Sequence, residues 1–220
     1  MTNVFFRPWV GENYKSTGFN GKHILVLGES CFCGECPGCA TDGHNDWWEE
    51  EEWQRCRDLI PDVVTDFLAY KNGDPKNWSM RSYRRFTDVF MGRKCTPEET
   101  QAFWNSFVLY NYVQTSLEGP RISPSQEEWA TGEKPFFEVL AEYTPDVIIA
   151  WGRRLWNNMP AGFRLDDSFQ NRWGDGLRYY NNGKRDIPVY ACYHPSTPAF
   201  SSEDTDYFKR LLEKVSEVSK

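Results

Sequence analysis

Four short apolar runs, each ending in a turn that carries polar side chains, constrain this chain more than anything else in it. The first is Ile24-Leu25-Val26-Leu27, which runs into Gly28 and is followed at once by Glu29-Ser30-Cys31-Phe32-Cys33. The others are Ser106–Val113, Asp146–Trp151 and Ile187–Tyr193. A continuous apolar run of this length, bounded by turn residues, reads as a strand buried on both faces, which is the habit of a parallel sheet. Helical segments separate the four runs, and right-handed crossovers then place helices on both sides of the sheet. The expectation is an α/β protein: a three-layer α/β/α sandwich on a mostly parallel four-stranded central sheet. Its strands fall at about 23–28, 106–113, 146–151 and 187–193.

Two hundred and twenty residues suit one such domain, 1–220, with insertions at about 34–100 and 157–186. The helices between the runs have clear signatures. Trp53, Cys56, Leu59-Ile60, Val63-Val64 and Phe67-Leu68 recur at intervals of three and four, with Pro61 expected to kink or divide that helix. Trp78–Met91 reads as another. Thr96-Pro97-Glu98-Glu99 is a helix start, with Thr as cap, Pro in the first turn and Glu at the third position. Ser125–Tyr143 reads as a helix interrupted near Gly132 and Pro135. Phe208, Leu211, Leu212, Val215 and Val218 form one apolar stripe on a final helix. Residues 1–22 read as an irregular lead-in and 157–186 as loop.

The net charge of −7 argues against a non-specific grip on nucleic acid by the whole surface. Charge is nevertheless segregated. Acid gathers in 42–62, read as a solvated helix face, and base in Arg81-Ser82-Tyr83-Arg84-Arg85 and Arg153-Arg154. No segment has the length of a membrane span, and Met1–Val10 lack the apolar core of an export signal, so the expected location is the cytoplasm. Thiols stay reduced there. The spacing of Cys33, Cys36, Cys39 and His44, with Cys31 as an alternative ligand, therefore suits a structural zinc ion better than disulfides.

In open α/β sheets ligands bind beyond the carboxyl ends of the strands. The polar groups delivered there are Glu29 and Ser30, Asn111, Arg153 and Arg154, and His194 and Ser196. An amide, a carboxylate and an imidazole converging on one rim can read a planar heterocycle, because Asn offers both a donor and an acceptor.

Taken in order, Gly28-Glu29-Ser30-Cys31-Phe32, Val108–Val113, Val147–Gly152 and Tyr193-His194-Pro195-Ser196 resemble the motifs of the uracil-DNA glycosylase superfamily. The resemblance covers about a quarter of the chain and leaves the insertions unmatched. It implies that Asn111 reads the Watson–Crick edge of a flipped base, and that His194 stabilises negative charge on the departing base. Phe32 then becomes a stacking surface for the base, Ser196 a further base-binding residue, and Pro198-Ala199-Phe200 a wedge into the duplex. DNA would be gripped through Arg81, Arg84, Arg85, Arg153 and Arg154 by a protein acting as a monomer. Where the best-known branch has a water-activating Asp, this chain has Ser30, a poor general base. Glu29 resembles another branch, and Asp42 or Asp46 could supply a carboxylate. The iron–sulfur cluster of some branches does not transfer, because their cysteines flank the first motif differently.

Two other readings compete. A non-catalytic nucleic-acid-binding descendant would keep the pocket without turnover. A serine acyl hydrolase would use Ser30 as nucleophile and His194 as base, although Ala191 stands where that family carries its acid.

Overall fold

In the computed structural model, which describes residues 1–32, 56–69, 78–119 and 121–218, the four apolar runs lie side by side. The strands are β1 (Trp9–Val10), β2 (Ile24–Gly28), β3 (Phe107–Asn111), β4 (Val147–Trp151), β5 (Arg164–Asp166), β6 (Leu177–Asn181) and β7 (Asp186–Cys192). They form one seven-stranded sheet in the order β1-β3-β2-β4-β7-β6-β5. β3, β2, β4 and β7 pair in parallel, while β1, β6 and β5 join antiparallel at the two sides. The protein is therefore α/β with a mixed sheet, larger than the four strands expected.

Period-two geometry explains why the central runs are apolar throughout. Ile24, Val26, Phe107, Leu109, Val147, Ile149, Tyr190 and Cys192 project to one face. There they meet α1 (Leu59–Ala69), α2 (Trp78–Met91), α3 (Pro97–Trp104) and α7 (Glu203–Val218), with Phe86, Phe90, Trp104 and Phe208 at the centre of the packing. Leu25, Leu27, Val108, Tyr110, Ile148, Ala150, Val189 and Ala191 project to the other face. That face is covered by α4 (Gln126–Ala130), α5 (Glu133–Tyr143) and α6 (Arg153–Asn158) through Trp129, Phe136, Leu140, Leu155 and Trp156. Each fully buried large apolar side chain contributes roughly 1.5–3 kcal/mol from the surface it removes from water.

The local signals act as their chemistry predicts. Thr96 and Glu99 form a reciprocal capping box at the start of α3. Ser125 and Glu128 form a second at α4, and the expected interruption falls between Ala130 and Glu133. Pro61 sits in the first turn of α1, where its missing N–H costs nothing.

Three strands go beyond the expectation: β1, in the lead-in read as irregular, and β5 and β6, in a stretch read as loop. Leu177 and Tyr179 are buried on one face and Tyr180 on the other, while Arg178 lies over the Trp156 ring at 3.8 Å. The signal for β6 was Gly183, the first of the two turn residues, Gly183-Lys184, between Asn182 and Arg185. Gly183 takes φ 85°, and the Asn182 side chain accepts from the backbone N–H groups of Lys184 and Arg185 at 3.0 Å each.

Register is what positions the site. Leu27, Tyr110, Ala150 and Ala191 form one row across the parallel strands, so the next row is Gly28, Asn111, Trp151 and Cys192. The chain leaves β2, β4 and β7 just beyond that row, carrying Glu29-Ser30, Gly152-Arg153 and Tyr193-His194 to the same rim. Among the described residues no helix is long and apolar enough to cross a membrane.

Candidate functional site

At this rim opens a cleft of about 680 Å³. Of the site residues expected from sequence, Glu29, Ser30, Cys31, Phe32, Asn111, Arg153, Arg154, His194 and Ser196 line it. Cys33, Cys36, Cys39 and His44, together with Asp42 and Asp46, lie outside the described residues. Among the described residues no group of His, Cys, Asp and Glu is arranged to hold a metal ion.

His194 is fixed by its own loop. The backbone N–H of Ser196 donates to His194 Nδ1 at 3.1 Å, and Ser196 Oγ lies 2.7 Å from the same nitrogen. A ring nitrogen that accepts from an amide has no proton, so the proton sits on Nε2 and the hydroxyl also donates to Nδ1. Burial, reinforced by the Arg154 charge, pushes the His194 pKa down to about 4. The ring is a neutral imidazole with Nε2–H as its remaining donor, its orientation further held by edge contact with Trp151 at 5.8 Å.

Asn111 ends β3. Its backbone carbonyl accepts from Gln114 Nε2 at 2.8 Å, and Gln114 in turn accepts from the backbone of Phe5 and Phe6. Its side-chain amide makes no hydrogen bond to another described residue. The amide rests on Gly28, where a Cβ would lie 2.1 Å from Asn111 Oδ1. Glycine at the end of β2 is thus what gives the amide its place in the cleft.

Glu29 is paired, not poised as a base. Arg154 Nε donates to Glu29 Oε2 at 2.7 Å and Nη2 donates to Oε1, a bidentate pair. The third arm of the guanidinium, Nη1, donates to Ser123 Oγ at 2.5 Å. Ser30 does not hydrogen-bond His194, and among the described residues no carboxylate reaches the ring. The Ser–His–acid arrangement of an acyl hydrolase is therefore not assembled here.

Two expectations are corrected. Phe200 is fully buried, stacked on Phe86 at 6.2 Å and packed on Phe208, so it is a core residue and not a duplex wedge. Arg85, expected to grip DNA, is instead engaged within the protein. Its guanidinium donates to the carbonyls of Pro195 (3.2 Å), Thr197 (2.9 Å), Pro198 (3.5 Å) and Phe200, and so braces the loop that carries His194. Arg81 and Arg84 lie on α2, outside the lining of the cleft. Arg85→Ala should strand these carbonyls and lower stability by about 1–3 kcal/mol, read from the denaturant midpoint at constant slope. Lysine should restore only part of it, because one ammonium cannot replace a planar fork.

Sequence reasoning missed Tyr83, Trp151, Arg121 and Ile122, which also line the cleft. Tyr83 and Trp151 were legible only as helix and strand core. Arg121 and Ile122 belong to a connection between β3 and α4 with no periodicity to reveal them. Compared with known proteins, the chain matches no family model and no curated sequence.

Proposed function

We propose that the cleft receives a base extruded from DNA and hydrolyses its N-glycosidic bond, on a three-layer fold of the uracil-DNA glycosylase type whose core is the parallel set β3-β2-β4-β7. The observation that carries this reading is the pairing in one cleft of a neutral imidazole, with its proton on Nε2, and an amide that no described residue engages. The amide of Asn111 offers both a donor and an acceptor to the edge of a base. Nε2–H of His194 donates to the base carbonyl and gains strength as the glycosidic electrons move onto the base. A neutral donor suits this task, because it binds the uncharged ground state weakly and the anionic leaving group strongly.

Glu29 is held by Arg154, which fixes its carboxylate at the cleft wall and offsets its charge, and Ser30 orients the water. Phe32 supplies an apolar surface against which the base stacks. The departing base takes the bonding electrons, the sugar carbon gains the water oxygen, and a proton from that water goes to solvent.

The test is single-turnover incubation with single- and double-stranded oligonucleotides carrying a panel of normal, deaminated and alkylated bases. Release of one class of base, leaving an abasic site, is the expected result. Tight binding without release would favour the non-catalytic reading, and hydrolysis of acyl esters would favour the serine hydrolase.

A further inference from the structure

Removing a base from a duplex requires something to fill the place it leaves in the stack, and an apolar side chain driven between base steps does this. The loop after His194 has none to offer. Phe200 is in the core, and the residues that loop exposes are Ser196, Pro198 and Ala199, all small or rigid.

The opposite lip differs. Ile122 is 42% exposed, the one large apolar side chain of the cleft lining that stands so far out among the described residues. It lies over Gly119, which has no side chain to cover it. Its neighbour Arg121 adopts φ 69°, a left-handed backbone that a non-glycine residue rarely takes. Arg121 makes no hydrogen bond or ion pair with another described residue.

The lip is also anchored on both sides of these two residues. Leu117 N–H donates to the Cys31 carbonyl at 3.0 Å, Ser116 bridges to Cys31, and Ser123 is held by Arg154. An exposed apolar tip on a braced turn, with a cation beside it and the cleft beneath it, has the parts needed to enter a helix next to a phosphate.

We infer that the lip that carries Arg121 and Ile122 is the element that opens duplex DNA: Ile122 is the wedge that occupies the vacated stack, and Arg121 contacts the adjoining phosphate. This rests on the proposed base extrusion. It places the wedge across the cleft from the His194 loop and names duplex DNA as the partner of this surface.

The experiment compares wild type with Ile122→Ala, Ile122→Leu and Arg121→Ala on one target sequence, presented as single strand and as duplex. Base release is measured in single turnover, and 2-aminopurine beside the target reports unstacking independently of cleavage. Both side chains are solvent-facing, and equal denaturation midpoints confirm intact folding. Ile122→Ala should lose about tenfold on duplex and nothing on single strand, with Ile122→Leu retaining wild-type behaviour. Arg121→Ala should lower the salt slope of binding by roughly one unit. Equal losses by Ile122→Ala on both substrates, or none on duplex, would overturn the inference. A wild type that unstacks the duplex in an Ile122-dependent way yet releases no base would support the wedge and defeat the cleavage reading. One that releases base from duplex with Ile122→Ala unaffected would do the reverse.

Discussion

His194→Ala is expected to slow base release in single turnover by on the order of a hundredfold, about 3 kcal/mol, the usual cost of losing one preorganised donor to a developing anion. Binding of an uncleavable analogue should change little, because the donor's advantage grows only as the base departs. The wild-type pH profile adds a second check. With its pKa pushed from 6.5 to about 4, His194 stays neutral through the range where an ordinary histidine titrates, so the rate should show no step near 6.5. Stability should respond instead. In the unfolded chain the ring takes up a proton near its ordinary value, while the folded protein resists it. Between about 6.5 and 4 the unfolded state therefore holds more protons, and stability falls as pH falls. His194→Ala removes that component and should flatten the dependence measured by denaturant titration across this window. A wild-type rate in His194→Ala, or a step in the wild-type profile at the ordinary imidazole pKa, would contradict the assigned role.

Gly28→Ala is the second substitution with a large expected effect. The new methyl would stand 2.1 Å from Asn111 Oδ1, closer than any real contact, and the amide is the end of a side chain that can swing away. The backbone at Gly28 is not in the left-handed region, so an alanine is tolerated conformationally. The fold should survive while the amide leaves its reading position. A well-placed pair of hydrogen bonds to a base edge discriminates by about 1–3 kcal/mol, so preference for the cognate base should fall roughly ten- to hundredfold. Asn111→Ala should do the same, and the double substitution should add little to either alone, because both remove one interaction. The measurement is the ratio of single-turnover rates on cognate and non-cognate oligonucleotides. Selectivity retained in Gly28→Ala would show that Asn111 does not read the base.

Much of this site was legible because register follows from the strands themselves. Once Leu27, Ala150 and Ala191 share a row, Glu29, Arg153 and His194 have to leave the sheet at one edge. The strand pattern thus brought Asn111 and His194 together before any contact was known. What the sequence concealed were the partners. Arg85 and Arg154 look alike in a basic run, yet one binds backbone carbonyls and the other a carboxylate, and nothing local distinguishes them. Phe200 follows a His-Pro-Ser turn and so suggested a protruding tip. Its burial depends on Phe86 and Phe208, which lie far from each other in the chain and meet only when α2 and α7 cover the same face. β5 and β6 escaped notice because a half-exposed antiparallel edge has weaker hydrophobic contrast than a strand buried on both faces.

The Arg154 guanidinium joins three segments that are far apart in sequence: the end of β2 through Glu29, the start of α6 through its own backbone, and the lip through Ser123. For a drifting sequence these positions behave as a single character. Glu29→Gln would deprive Arg154 of its counter-charge, and Arg154→Ala would strand Glu29 and release Ser123, so each change is harsher alone than in company. A descendant with a different carboxylate in this cleft must therefore have altered the lip as well, and substrate preference and the grip on the strand would evolve together.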